Sequence, residues 1–263
     1  MMREVPVAGT TLRVEEEGAG PAIILLHAGV ADRRMWDPQV AFLRGSHRVI
    51  RWDLRGFGET PNVPGPFSYA ADVLAVMDAL EVKEAVLIGC SMGGAAAVRV
   101  ALTSPERIQG LVLVGSGLHG FDHPELEPPI VQDLIAAEEA KDYERLMALE
   151  FKLWIVGLER QEADLDRQFL ALTRDMFAKA FQPANGAEPQ DALTSDVERL
   201  SDLTLPVLLI VGGEDLQVIK ATAEFIASRV RGARLETIEG AAHLPNLEHP
   251  KEFNAILGDW LEV

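Results

Sequence analysis

Short apolar runs alternate with longer segments of helical period along most of this chain. Runs such as Ala22–Leu26 contain no polar position, which is typical of strands buried on both faces of a sheet. Strands are predicted at Ala22–Leu26, His47–Leu54, Ala85–Ile88, Leu111–Val114, Pro206–Val211 and Arg234–Ile238. Helices are predicted at Arg34–Leu43, Tyr69–Leu80, the run that ends before Pro105, Ile219–Val230 and Pro250–Trp260. The alternation predicts an α/β fold with a mostly parallel, doubly wound sheet and helices on both faces.

Two segments depart from this alternation. Val5–Glu17 alternates weakly between apolar and polar residues and predicts an antiparallel hairpin at a sheet edge. Pro128–Phe181 has only helical spacing and predicts an all-helical insertion, which is followed by a predicted loop at Pro183–Pro189. We expect the insertion to form a cap over one end of the sheet. The expected domains are a core, residues 1–117 and 196–263, and a helical cap or lid, residues 118–195.

The composition is that of a globular protein with a large core. Of the 263 residues, 48% are hydrophobic and 25% are charged, which suits one large α/β domain or a domain with an insertion. The formal net charge of −17 repels phosphate backbones. We therefore expect a small-molecule substrate and no nucleic-acid partner.

Cysteine content and the length of the apolar runs bear on location. Cys90 is the only cysteine, so no intramolecular disulfide can form. The N-terminal sequence MMREVPVAGTTLRV lacks the apolar stretch of a signal peptide, and runs such as Val207–Val211 are too short to span a bilayer. A cytoplasmic protein without membrane contact is the default expectation, and secretion without disulfides stays open. The oligomeric state does not follow from the pattern.

The segment Gly89–Gly94 lies between a predicted strand and a predicted helix. Its sequence, GCSMGG, matches Gly-x-Ser-x-Gly, in which glycines permit a tight turn that holds a serine hydroxyl at its top. The following helix directs its N-terminal N–H groups at the turn and favours negative charge there. Ser91 is therefore the candidate nucleophile, and a serine that only caps the helix is the alternative. A nucleophilic serine also needs a base, an orienting acid and an oxyanion site.

The candidate base and acid each follow a predicted strand in the C-terminal part of the chain. His243 lies in a loop of small residues, and histidine is the side chain that most often serves as a general base. Asp215 could accept the His243 Nδ1–H and stabilise the imidazolium, with Glu214 and Asp122 as alternative acids. Because ligands bind outside the carboxyl ends of parallel strands, we expect Ser91, Asp215 and His243 at one edge of the sheet.

Short motifs recur in a fixed order along nearly the whole chain: His27–Gly29, Asp53–Thr60, Gly89–Gly94, Gly213–Asp215 and Gly240–His243. In this order they resemble the α/β-hydrolase fold superfamily. The resemblance implies a catalytic triad of Ser91, Asp215 and His243, whose order along the chain fits that arrangement. It also implies an oxyanion hole made by the backbone N–H of Met92 and one from the loop after His27. We choose Gly29 for the second N–H, with Val30 as the alternative, and the mechanism needs no metal or organic cofactor.

This chain departs from the superfamily at one position. The superfamily usually has His-Gly where this chain has His27-Ala28, and alanine tolerates fewer backbone conformations than glycine. The departure bears on the geometry of the second oxyanion donor. His27 itself is expected to be structural, and Asp53 and Arg55 are expected to shape a loop near the pocket.

The nucleophile narrows the activity that the resemblance implies. A serine in the Gly89–Gly94 turn argues against haloalkane dehalogenases and epoxide hydrolases, which use an aspartate at that position. We expect a serine esterase that cleaves a carboxylic ester or lactone of a small to medium, partly apolar substrate through an acyl-enzyme. Alternatives are a carbon–carbon bond hydrolase of ring-cleavage products, a cofactor-free haloperoxidase or perhydrolase, and a non-catalytic ligand-binding protein. Most of the large side chains of the cap are expected to pack within it, and a few are expected to line an apolar pocket. They are Phe151, Trp154, Phe169, Met176, Phe177 and Phe181.

Overall fold

The computed structural model describes residues 1–180 and 186–262. The strands are β1 (Met2–Val7), β2 (Thr10–Glu17), β3 (Ala22–Leu26), β4 (Arg48–Trp52), β5 (Gly65–Phe67), β6 (Ala85–Cys90), β7 (Ile108–Val114), β8 (Ala187–Pro189), β9 (Val207–Gly212) and β10 (Arg234–Ile238). The helices are α1 (Asp37–Leu43), α2 (Tyr69–Ala79), α3 (Met92–Thr103), α4 (Ile130–Glu139), α5 (Tyr143–Phe151), α6 (Arg167–Ala180), α7 (Gln217–Arg229), α8 (Pro245–Glu248) and α9 (Pro250–Leu261). Among these described residues, no helix is both long and apolar enough to cross a bilayer.

The main sheet has the strand order β1-β2-β4-β3-β6-β7-β9-β10. β1, β2 and β4 pair antiparallel, and every later neighbour in this order pairs in parallel. The predicted, mostly parallel sheet is therefore confirmed, and the predicted hairpin lies at its edge but begins earlier, at Met2. The carboxyl ends of β3, β6, β7, β9 and β10 consequently lie along one edge of the sheet.

Helices cover both faces of this sheet because most side chains of its inner strands are apolar and buried. Alternate residues of a strand point to opposite faces. In β3, Ile24 and Leu26 pack in the cluster formed with α2, α3 and α7, whereas Ile23 and Leu25 pack in the cluster formed with α1 and α9. Each of these fully buried side chains contributes roughly 1.5–3 kcal/mol relative to an exposed one. The sheet is thus a rigid platform for the loops at its carboxyl edge.

The segment between β7 and β9 is helical over most of its length, as predicted. A π-helical turn at Lys152–Val156 continues α5 and ends at Gly157, whose φ of +83° suits a residue without a side chain. The predicted loop at Pro183–Pro189 is partly wrong, because Ala187–Pro189 forms β8 and pairs in parallel with β5. Phe181 and the start of that loop, residues 183–185, lie outside the described residues.

Candidate active site

Ser91 occupies the turn between β6 and α3 in a strained conformation. Its φ of 51° and ψ of −115° lie outside the regions that non-glycine residues favour, a feature that clusters at functional sites. Its side chain makes no capping hydrogen bond to α3, so the alternative of a helix-capping serine is not observed. The Ser91 N–H donates to Val114 O at 2.9 Å, which ties the turn to β7. The backbone therefore holds the half-buried hydroxyl free of local hydrogen bonds.

Glycines make this turn possible by removing side chains where backbones meet. A Cβ at Gly93 would lie 2.5 Å from Leu26 O and 2.7 Å from His27 O. A Cβ at Gly89 would overlap the carbonyl oxygen of Gly93. Helix α3 can thus begin directly against the end of β3.

Asp215 and His243 meet at the same edge of the sheet. The Nδ1–H of His243 donates to Asp215 Oδ2 at 2.9 Å, and both side chains are about 1% exposed. The other carboxylate oxygen accepts the Leu216 N–H at 2.8 Å, which fixes the carboxylate plane. With its proton on Nδ1, His243 has Nε2 left as a proton acceptor. This is the pairing that a general base and its orienting acid require.

The two alternative acids do not make this contact. Glu214 uses its backbone N–H to bind Ala241 O at 2.8 Å, and Asp122 is exposed. Within the part of the chain that the structure describes, no hydrogen bond joins the Ser91 hydroxyl to His243. The residue before the serine does reach that loop, since Cys90 Sγ lies 3.7 Å from His243 O. Burial raises the pKa of the Cys90 thiol well above its ordinary value, so the thiol is protonated at neutral pH.

The loop after β3 lies against the start of α3. A Cβ at Gly29 would be 3.8 Å from Met92 Sδ and 3.9 Å from Met92 Cβ. Among residues 1–180 and 186–262, the N–H groups of Met92, Gly29 and Val30 donate no hydrogen bond. Ala28 has a negative φ and its N–H faces Met35 Sδ at 3.3 Å, so alanine is tolerated where the superfamily has glycine. Two segments that carry unpaired N–H groups therefore lie close together at this edge of the sheet.

His27 is committed to holding this loop. Its Nε2 accepts the Leu54 N–H at 2.8 Å, so the proton resides on Nδ1, which donates to Ala28 O at 2.8 Å. Burial lowers the pKa of His27 and keeps the ring neutral. The nearby Asp53 accepts hydrogen bonds from Arg33 N–H and Glu59 N–H, each at 2.9 Å. Asp53 thereby shapes the loop after β4.

The π-helical turn brings a side chain that the sequence did not place in the site. The ring of Trp154 lies against that of His243, with centroids 4.6 Å apart and ring planes tilted by 48°. Its Nε1–H donates to Glu150 Oε2 at 2.7 Å, and burial raises the pKa of that carboxyl. The sequence did not distinguish Trp154 from neighbours such as Phe151 and Phe177, which form an edge-to-face pair 5.4 Å apart. The break of helical period at the π-turn redirects the side chain, and no sequence signal predicted that break.

Comparisons with known proteins identify the family of this chain. The model of the family described as "Alpha/beta hydrolase family" matches residues 23–256. The chain is 30% identical to the 2-hydroxymuconate semialdehyde hydrolase of Pseudomonas sp. strain CF600, over 98% of this chain and 93% of that protein. It is also 30% identical to a pimeloyl-[acyl-carrier protein] methyl ester esterase of Aeromonas hydrophila, over 94% and 98%. Among solved structures, the enol-lactonase of Burkholderia xenovorans LB400 matches with a TM-score of 0.80 and 27% identity, over 99% of this chain and all of that one.

Proposed function

The chain belongs to the alpha/beta hydrolase family, and we propose that it is a serine hydrolase that cleaves carboxylic esters or lactones through an acyl-enzyme. In this proposal Ser91 is the nucleophile, His243 the general base and Asp215 the orienting acid. The observation that carries it is the buried hydrogen bond between His243 and Asp215, at the sheet edge where the strained turn presents Ser91. Relatives that are named esterases and enol-lactonases support the ester or lactone bond as the target.

The reaction follows from the roles of these side chains. The Ser91 hydroxyl attacks the substrate carbonyl carbon as His243 Nε2 removes its proton. The carbonyl oxygen becomes an oxyanion that accepts hydrogen bonds from the N–H groups of Met92 and Gly29, with Val30 as the alternative second donor. Asp215 stabilises the imidazolium, which then protonates the leaving alcohol oxygen. Water, deprotonated by the same imidazole, attacks the acyl-enzyme and releases the acid and Ser91.

The side chains around the site favour a small to medium, partly apolar substrate. Trp154 lies against the imidazole, and Phe57 lies beside Gly29, 3.9 Å from the position of a Cβ there. Phe57 also lines a neighbouring cavity of about 200 Å³ together with Phe67 and Tyr69, and the lining of that cavity does not include Ser91 or His243. We propose that residues 118–195 act as a cap over residues 1–117 and 196–263, so that cap side chains select the substrate.

Ser91→Ala tests this function directly. Wild-type protein and the variant are assayed with p-nitrophenyl esters of increasing acyl length, with lactones and with amides. We expect turnover by the wild type and a loss of several orders of magnitude in kcat in the variant, since removal of a triad serine leaves only binding and the oxyanion site. Equal turnover by both proteins would refute the assignment of Ser91.

A fluorophosphonate separates an enzyme from a ligand-binding protein of the same fold. The reagent forms a bond from Ser91 Oγ to phosphorus, expels fluoride and passes the serine proton to His243. We expect an adduct on Ser91 in the wild type and none in Ser91→Ala. An intact wild-type serine after prolonged exposure would support a non-catalytic ligand-binding role.

A second candidate is cleavage of a carbon–carbon bond with the same side chains. It is favoured by the similarity to the 2-hydroxymuconate semialdehyde hydrolase of Pseudomonas, which covers nearly both chains. Comparison of a vinylogous 1,5-diketone with short esters distinguishes the two reactions. A higher kcat/KM for the diketone would assign carbon–carbon hydrolysis, and a higher value for the esters would assign ester hydrolysis.

A further inference from the structure

The segment from Lys152 to Arg160 connects the α5 helix to the loops that carry the candidate acid and base. Gly157 lies between the loop that contains Glu214 and the loop that contains Ala242. A Cβ at Gly157 would be 3.4 Å from Glu214 O and 3.6 Å from Ala242 Cβ. Leu153 packs in a cluster with Leu216, the residue after the candidate acid. This segment is therefore in contact with both loops at the same time.

Arg160 makes the polar part of this connection. Its Nε–H donates to Val156 O at 2.7 Å, which anchors the side chain on the π-helical turn. Its Nη1 donates to the carbonyl oxygen of Gly240 and to Glu248 Oε1, and its Nη2 donates to Glu248 Oε2 at 3.3 Å. The exposed fraction of the side chain is only 14% for Arg160 and 8% for Glu248. One guanidinium thus joins three separate elements away from bulk water.

Glu248 completes the link to the base. Its Oε2 accepts the N–H of Ala242, the residue directly before His243, at 3.0 Å. Arg160 and Glu248 together therefore bind the Gly240 carbonyl and the Ala242 amide. Gly240, with a φ of +74°, lies in the loop between β10 and α8, which contains no helix or strand. The ion pair therefore supplies hydrogen bonds to the Gly240 carbonyl and the Ala242 amide, which take part in no backbone pairing of a helix or strand.

We propose that Arg160 and Glu248 are a positioning pair that sets the place of the His243 imidazole between Asp215 and Ser91. The inference rests on the proposed function, because it concerns the base of that reaction. The pair touches neither substrate nor reacting atoms and acts through the backbone on the N-terminal side of His243. A planar guanidinium can bind a carboxylate with two nitrogens and still donate to a carbonyl, which a lysine ammonium of different geometry does not reproduce.

Displacement of the His243 base reduces stabilisation of the transition state more than it reduces substrate binding. A misplacement of about 1 Å costs roughly 100-fold in rate, so we expect Arg160→Ala to lower kcat about 10- to 100-fold while KM changes less than about 3-fold. Fluorophosphonate labelling of Ser91 should slow by a similar factor, because it needs the same base. Added guanidinium should restore part of the labelling rate, and Arg160→Lys should fall between Arg160→Ala and the wild type.

A matched control comes from an ion pair elsewhere in the helical segment. Arg145 donates to Asp133 at 2.7 Å between α5 and α4, with both side chains about half exposed. Arg145→Ala should label and turn over at the wild-type rate. If Arg145→Ala lost activity as Arg160→Ala does, a general loss of cap stability would replace the positioning role.

Glu248→Gln provides a test if Arg160→Ala does not fold. Its amide oxygen can still accept the Ala242 N–H, but the charge that pairs with Arg160 is gone, so we expect slower labelling with a retained circular dichroism spectrum. Wild-type labelling rates in folded Glu248→Gln and Arg160→Lys would overturn the positioning role. Absence of labelling in the wild type would instead refute the proposed function, so the two failures are distinguishable.

Discussion

Gly93→Ala tests how closely the two candidate oxyanion donors must approach. The added methyl carbon would lie 2.5 Å from Leu26 O and 2.7 Å from His27 O, which are backbone atoms that cannot rotate away. Ordinary contact begins near 3.4 Å, so α3 and the end of β3 must separate by about 0.9 Å. That separation moves the N–H of Met92, at the start of α3, away from the N–H of Gly29.

The expected effect on catalysis exceeds the effect on stability. Loss of one oxyanion donor costs about 100- to 1,000-fold in kcat, and a shift of about 1 Å costs roughly 100-fold. We therefore expect kcat to fall about 100-fold, equivalent to about 2.7 kcal/mol of transition-state stabilisation, with little change in KM. Overpacking costs about 1–3 kcal/mol of stability, and alanine recovers up to about 1 kcal/mol of helix propensity. The net loss of stability is thus small enough for the variant to be assayed folded.

Two further glycine substitutions provide controls in the same ester assay. Gly45→Ala adds a methyl with no atom within 4 Å and should leave both activity and thermal unfolding unchanged. Gly110→Ala places a methyl 2.7 Å from the Trp260 ring, within the core and away from the site, and should lower Tm without a specific loss of kcat. A Gly93→Ala enzyme with kcat within about 3-fold of the wild type would refute the oxyanion geometry.

Three other properties follow from buried groups. Burial lowers the pKa of His27 below its ordinary value of 6.5, and a proton on Nε2 would point at the Leu54 N–H. The unfolded chain therefore binds this proton more readily than the folded chain, and the free energy of unfolding should fall as the pH drops below about 6.5. An NMR titration of the folded protein in which this ring titrates at or above pH 6.5 would contradict this. The Cys90 thiol has a raised pKa and is fully buried, so a disulfide reagent should modify it only after unfolding; rapid modification of the native protein would show otherwise. Arg55 binds Asp72 through two nitrogens at 2.6 and 2.7 Å, and the two side chains are 4% and 6% exposed. Asp72→Leu leaves the Arg55 charge buried without a partner and should lower the free energy of urea unfolding by about 3–5 kcal/mol. The double variant Asp72→Leu, Arg55→Met should recover most of that loss. If Asp72→Leu alone were as stable as the wild type, the claim that an unpaired Arg55 charge is destabilising would be refuted.

The sequence was sufficient for the elements whose cause is local. Apolar runs of strand length identified the inner strands, and β3 begins and ends where the pattern placed it. The glycines of Gly89–Gly94 predicted the tight turn because the clashes they avoid lie within the turn itself and against the adjacent strand. Parallel strand ends share an edge, so the sequence also predicted which loops would meet there.

The tertiary structure decided which side chains meet across long stretches of chain. Glu214 and Asp215 are neighbours in sequence, and only the path of the loop after β9 directs Asp215 to His243. Arg160 and Glu248 are 88 residues apart, and no periodicity links them.

The position of Trp154 against His243 depends on a π-helical turn, and the pairing of β5 with β8 depends on chain segments 122 residues apart at Gly65 and Ala187. The hydrophobic pattern of the sequence encodes which residues are buried and at what spacing, and this is enough to predict strands, helices and turns. Contacts between polar side chains depend on the direction in which each loop leaves its strand, and that direction is set by packing of the whole fold.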